Sequence, residues 1–193
     1  MVNNNEQAFS IKELVAAPRC TCVQVFTETN IFKGYIVHAI SERFLDILNQ
    51  GTVINKPGLA NEFLSLIEVE IYDLDGKKEN LASNCLINKN NSLIVAENRT
   101  IHGELPPAKP FQFTLFQRKK PVWVNIQIQD LNLVGQVYIG QNESSITALE
   151  METIFLPVTS ATLTSKLNTL HFEFDFLAIN KNQIVSMSEL AEP

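Results

Sequence analysis

Two cysteines one residue apart, Cys20 and Cys22, offer a pair of thiolates that could hold a metal ion. A tetrahedral zinc site takes four ligands, usually as two spaced pairs. Only Cys85 and three scattered histidines, His38, His102 and His171, remain to complete one. On a strand, residues two apart share a face, so the pair is expected as structural side chains turned inward or toward an edge. No metal and no cofactor is expected. The histidines bear no helical or hairpin spacing to one another, and a nucleophile would need a base beside it and a third group to orient that base. The chain has no G-x-S-x-G, no H-E-x-x-H and, with seven glycines, no glycine-rich loop to cradle a phosphate. Asp73 and Asp75 resemble a carboxylate pair, but both fall within the turn YDLDGKK, where aspartates form and solvate the bend. The expectation is a protein that is not an enzyme.

A cationic stretch raises a different chemistry. Arg118, Lys119 and Lys120 sit beside Phe116 and Trp123, and cations interleaved with aromatic rings can bind single-stranded nucleic acid. Affinity for nucleic acid grows with the number of phosphates neutralised, and the chain carries a net charge of −6. Nucleic acid therefore ranks as the alternative partner, behind an unknown protein or a second copy of the chain. No apolar run approaches the ~20 residues needed to cross a bilayer, MVNNNEQAFS lacks the features of a signal peptide, and the odd cysteine count fits a reducing compartment. No membrane association and a cytoplasmic location are expected.

The elements that would position these residues are legible through a repeat. INKN occurs at Ile87 and again at Ile179, an offset of 92, and the hydrophobic pattern agrees well beyond it. FLSLIEVEI (from Phe63) lies on FLPVTSATL (from Phe155) without a gap. Asp75-Gly76 is a hairpin signal, and Gly76, where positive φ is demanded, aligns with Asn168. Earlier in each copy the offset is 101: Gly34 aligns with Gly135, and Thr21, Val23 and Val25 with Val122, Val124 and Ile126. The difference is a nine-residue insertion within Gln50 to Glu62, whose Pro and Gly mark a loop. The expected organisation is a disordered terminus over 1–9, repeat 1 over 10–97, a Pro-rich linker over 98–110 and repeat 2 over 111–190.

Each copy reads as a leading segment, two strands around a turn, a short helix (SERFLDILNQ or NESSITALEM), a long hairpin ending at INKN and a last short strand. The leading segment FSIKELVAA has a capping-box spacing from Ser10 to Glu13. The fold class expected is mainly β, two tandem small β-barrel-like repeats with short helices; a sandwich shared by both copies is the alternative.

This order of elements resembles the Sm-like or SH3-like barrel, and FTLFQRKKPVWVNIQIQDLNLVGQVYIG is similar to the opening of bacterial Sm-like RNA chaperones. Copy one also resembles an uncharacterised bacterial domain family with the pattern R-L-x-D-x-L-N, then F-L-x-L, then N-K-x-x-I; Arg43, Phe44, Asp46, Leu48 and Asn49 fit its first part, which copy two lacks. The Sm-like resemblance would make Lys89 and Lys181 ligand contacts. The asparagines around them read more simply as turn formers. Arg43, Phe44, Asp46, Ile47, Leu48 and Asn49 form the expected partner surface, and the function expected is a binding, scaffold or regulatory module.

Overall fold

The computed structural model describes residues 18–51, 62–98, 119–166 and 170–191. The first half runs β1 (Pro18–Phe26), β2 (Asn30–Ala39), α1 (Phe44–Gln50), β3 (Phe63–Asp73), β4 (Lys78–Asn88), a 3-10 turn (Lys89–Asn91) and β5 (Ile94–Glu97). The second half repeats that order: β6 (Lys119–Ile128), β7 (Leu131–Gly140), α2 (Ser145–Glu150), β8 (Phe155–Ser165), β9 (His171–Asn180), a 3-10 turn (Lys181–Gln183) and β10 (Ser186–Glu189). The mainly β class is as expected. Most of the linker, the insertion, both leading segments, His102, Arg118 and Asn168 lie outside the described residues.

Alternating β-branched and polar residues make the strands two-faced; Val124, Ile126 and Ile128 are buried while the residues between them are only partly so. The first four strands of each half pair antiparallel in sequence order, and the fifth returns to the first, β5 on β1 and β10 on β6. The two halves join through β5 and β9, which pair Ile94 with Ile179, Val95 with Ala178 and Ala96 with Leu177. One sheet of ten strands results, in the order β10-β6-β7-β8-β9-β5-β1-β2-β3-β4. It does not close. Two tandem barrel-like repeats were expected, but the second edge of β5 goes to β9 of the other half rather than to β4 of its own, so β4 and β10 are left as edges among the described strands.

The cores run through this junction. Phe26, Leu93, Ile94 and Ala96 from the first half pack among Val124, Leu133, Leu177 and Ile179 of the second. Conversely, Phe155 and Ala178 pack among Val23, Leu48, Leu66 and Val95.

The aligned glycines have a structural cause. Opposite each the third strand carries a bulge whose extra residue has positive φ, Glu68 at 52° and Ser160 at 48°. The bulge bends that strand toward its neighbour, and a Cβ on Gly34 would lie 2.9 Å from the Ile67 carbonyl oxygen, while one on Gly135 would lie 2.6 Å from Val158 Cγ1. Gly76, at φ 82°, has nothing within 4 Å, so there the backbone conformation is the whole requirement. Gly135→Ala is therefore expected to lower unfolding free energy by about 1–3 kcal/mol through overpacking, read from the midpoint of a urea transition. An unchanged midpoint would contradict the close approach.

Candidate interaction site

The helix expected as a partner surface is already occupied, and its partner is the other half of the chain. Ile47 and Leu48 are buried in the first half's core, and Phe44 meets Phe176 of β9 edge to face at 5.9 Å. Asn49 Nδ2 donates to Leu45 O, and its Oδ1 accepts from the Phe155 N–H at 2.9 Å. Arg43 and Asp46 alone are exposed. RFLDIL is an interface, but an internal one.

Neither INKN lysine is presented to a ligand. Lys89 is 1% exposed, and its Nζ has no hydrogen-bond partner among the described residues. Burial pushes its ammonium below the ordinary lysine range. Lys181 Nζ donates to the carbonyls of Leu149 and Met151 at the end of α2, and burial lowers it too. The asparagines do form the turns: Asn88 Oδ1 accepts from Asn90 N–H and Asn180 Oδ1 from Asn182 N–H. Asp73 likewise accepts from the amides of Asp75 and Lys77, holding its hairpin.

On β6, Lys119 is exposed, whereas Lys120 and Trp123 are half-buried. Lys120 lies near Glu189, whose carboxyl is held below its usual range chiefly by hydrogen bonds from Ser145. Cys22 is buried, with its thiol pushed up by burial, and Cys20 is exposed. No cluster of three or more possible metal ligands occurs among the described residues. His38 is buried with Nδ1 2.8 Å from Ala39 O and Nε2 2.8 Å from Thr21 Oγ1. A carbonyl can only accept, so Nδ1 carries a proton; in the neutral ring Nε2 then accepts from the hydroxyl. In a shallow cleft over the first bulge, Glu70 accepts from Lys78 at 2.6 Å and from Tyr72 at 2.7 Å, and these bonds, Lys78's first, hold its carboxyl below the usual range. A carboxylate so committed is a poor general base.

The geometry instead directs attention to the junction and its unfilled equivalents. Asn180 is fully buried there; its N–H donates to Leu93 O, and its Nδ2 donates to Lys89 O at 3.0 Å. Phe26 meets Phe172 at 5.6 Å and Phe174 at 6.1 Å, both edge to face. The alternation HFEFDF on β9 against ENLASN at the matching positions of β4 is the sequence signal for this junction. Aromatic residues at every second position of one copy alone mark the strand that is covered.

At the open ends, nothing among the described residues covers the matching surfaces. Lys89 N–H donates to Glu62 O, so by strand alternation the backbone groups of Asn84, Leu86 and Asn88 point outward from β4. Leu86 is 62% exposed, whereas its counterpart Ala178 is fully buried; Val185 is 69% exposed, whereas its counterpart Leu93 is 2% exposed. Beside β10 lies an open groove of about 620 Å³, lined by Leu149, Met151, Lys181, Val185 and Met187 among others. Leu48, Lys89, Leu93 and Val95 occupy the matching places in the first half, and there Phe155, Ala178 and Asn180 fill the space.

The lysine pair provides a test of this geometry. An ammonium whose pKa is lowered by folding binds its proton less tightly in the folded chain, so its charged form costs stability at neutral pH. That cost fades as pH rises toward the ordinary value of 10.5. Lys89→Met is expected to stabilise the fold by about 1–3 kcal/mol at pH 7 by removing a buried charge that has no partner among the described residues. The gain should shrink as pH rises toward 10.5, as followed by urea unfolding. Lys181→Met, which loses bonds to two carbonyls, is expected to destabilise by about 1 kcal/mol; the same sign for both would contradict the difference in their surroundings. No family model, curated protein or solved structure matches this chain.

Proposed function

We propose that the chain is a non-enzymatic, cytoplasmic binding, scaffold or regulatory module, made of two tandem repeats whose order of elements resembles the Sm-like or SH3-like barrel but joins one open sheet, that engages protein through the open edges of that sheet. The observation that carries this reading is β4. It is eleven residues long and uncharged from Asn80 to Asn88, with Leu81 and Leu86 exposed and its outer edge without a partner strand among the described residues, the Asn88 carbonyl alone accepting from Ser92 Oγ. Edge strands are commonly shortened, charged or broken by proline, because a bare edge templates further pairing. An edge without these guards suits the addition of a strand. The recurrence of β-β-α-β-β-β, with Gly34 and Gly135 serving the same bulge, supports the repeat reading. No helix among the described residues is long and apolar enough to cross a membrane.

Nucleic acid binding through Lys119, Lys120 and Trp123, with Arg118 before them, is the alternative. The proximity of Glu189 to Lys120 weakens that patch and favours protein. A photoreactive residue in place of Leu86 or Val185, irradiated in cell extract, is expected to give protein adducts, and one in place of exposed Tyr138 on a central strand is not. Nuclease-sensitive adducts, or equal labelling at all three positions, would overturn the reading.

A further inference from the structure

We infer that the occupant of both open edges is a second copy of this chain, with β4 of one molecule added to β10 of the next in the register that joins β9 to β5. This inference rests on the edge-binding reading above and names its partner. The argument begins with the internal junction, which is heterologous: it joins the fourth strand of one half to the fifth strand of the other. A chain that uses each surface once internally keeps one of each unused. β4 is the spare fourth strand, and β10 is the spare fifth. The two surfaces that complement one another inside the molecule are therefore both displayed by every copy, at opposite edges of the sheet.

The side chains at the spare surfaces are suited to the same contact. Transferring the register sets Ser186 opposite Ile87, Met187 opposite Leu86 and Ser188 opposite Cys85 of the neighbouring copy. Exposed Leu86 then meets partly exposed Met187, replacing the buried pair of Ala178 and Val95. Phe63, Leu86 and Asn88 of the incoming copy take the places of Phe155, Ala178 and Asn180, in the groove beside β10. Asn88 has the side-chain posture of Asn180, its Oδ1 bound to the amide two residues on, leaving Nδ2 to donate to Lys181 O as Asn180 donates to Lys89 O. Glu150, exposed at the position matching Asn49, supplies an acceptor for the Phe63 amide as Asn49 does for that of Phe155.

Heterologous contacts propagate. They close into a ring where the rotation between copies divides a full turn, and otherwise extend as a filament. The edges carry no aromatic clamp: Gln127 and Ser145 stand where the junction has Phe26 and Phe44, and Asn80, Ala82 and Asn84 where it has Phe172, Phe174 and Phe176. The intermolecular contact is correspondingly weaker than the internal one.

The native cysteine provides the test. Ser188 is exposed, and its predicted partner is Cys85 in a non-hydrogen-bonded pair. The Cα atoms of such pairs lie about 4.5 Å apart, within disulfide range. Full-length Ser188→Cys, oxidised at ~50 µM, is expected to give covalent oligomers whose linkage, mapped by mass spectrometry, joins Cys85 to the introduced thiol. Adding Cys85→Ser should abolish them. Leu86→Pro removes one outward N–H without touching the β3–β4 ladder. By light scattering it is expected to convert multiples of the 21.7 kDa chain to monomer, with its circular dichroism unchanged. A wild type that stays monomeric at ~500 µM, or a linkage between two Cys85 thiols, would overturn the inference. If photo-adducts at Leu86 then fall on another protein, edge binding stands and self-assembly fails. If no adduct forms at all, both fail.

Discussion

A four-residue strand with both edges occupied holds the sheet together. β5 pairs with β1 of its own half through Val23 to Phe26 and with β9 of the other half through Leu177 to Ile179. Because β5 contributes Ile94 and Ala96 to one core and Val95 to the other, neither core is complete without it. Backbone pairing alone would not single out β9, since any strand offers the same donors and acceptors. The aromatic contacts make the choice: Phe26 lies against Phe172 and Phe174, and Phe44 against Phe176. Such pairs contribute about 0.5–1.5 kcal/mol each beyond their buried area.

That constraint explains which sequence features were legible. Local requirements were readable because a single residue carries each of them. Gly34 and Gly135 align because a bulge presses on both, Asp75-Gly76 marks a hairpin, and the asparagines of INKN bond their own backbone two residues on. The short helix expected within SERFLDILNQ stands at Phe44–Gln50. Its role was not legible, because an apolar helix face looks the same in sequence whether it covers another molecule or another half of the same chain. The choice between closed barrels and one continuous sheet was hidden for a similar reason. It depends on which distant strand meets the second edge of β5, and only the contrast between HFEFDF and ENLASN bears on that.

The INKN turns illustrate how one sequence acquires two environments. Asn180 sits inside the junction and ties its turn to the carbonyl of Lys89, while Asn88 makes the same local turn at an open edge. Lys181 reaches carbonyls at the end of α2 and finds a use for its charge; Lys89 is buried beneath the junction and finds none among the described residues. A buried ammonium in such a place is a cost to folding, which the burial of apolar residues in the two cores that meet at β5 and β9 must offset.

Chain connectivity further separates the internal junction from the edges. Strands on one chain meet at an effective concentration in the millimolar range when the connector spans them, so β9 reaches β5 before a second molecule does. Aromatic residues at the junction and polar ones at the matching edge positions act in the same direction. A β9 that strayed to another molecule's β10 would bring Phe172 and Phe174 against Gln127, where the edge-to-face contacts with Phe26 are lost and a polar amide faces two rings. The same difference penalises β4 on β5, which would leave Phe26 facing Asn80 and Ala82. The two halves are alike enough to share a backbone pairing geometry and unlike enough at these positions that the pairing within a chain is distinguished from pairing between chains by side chains alone.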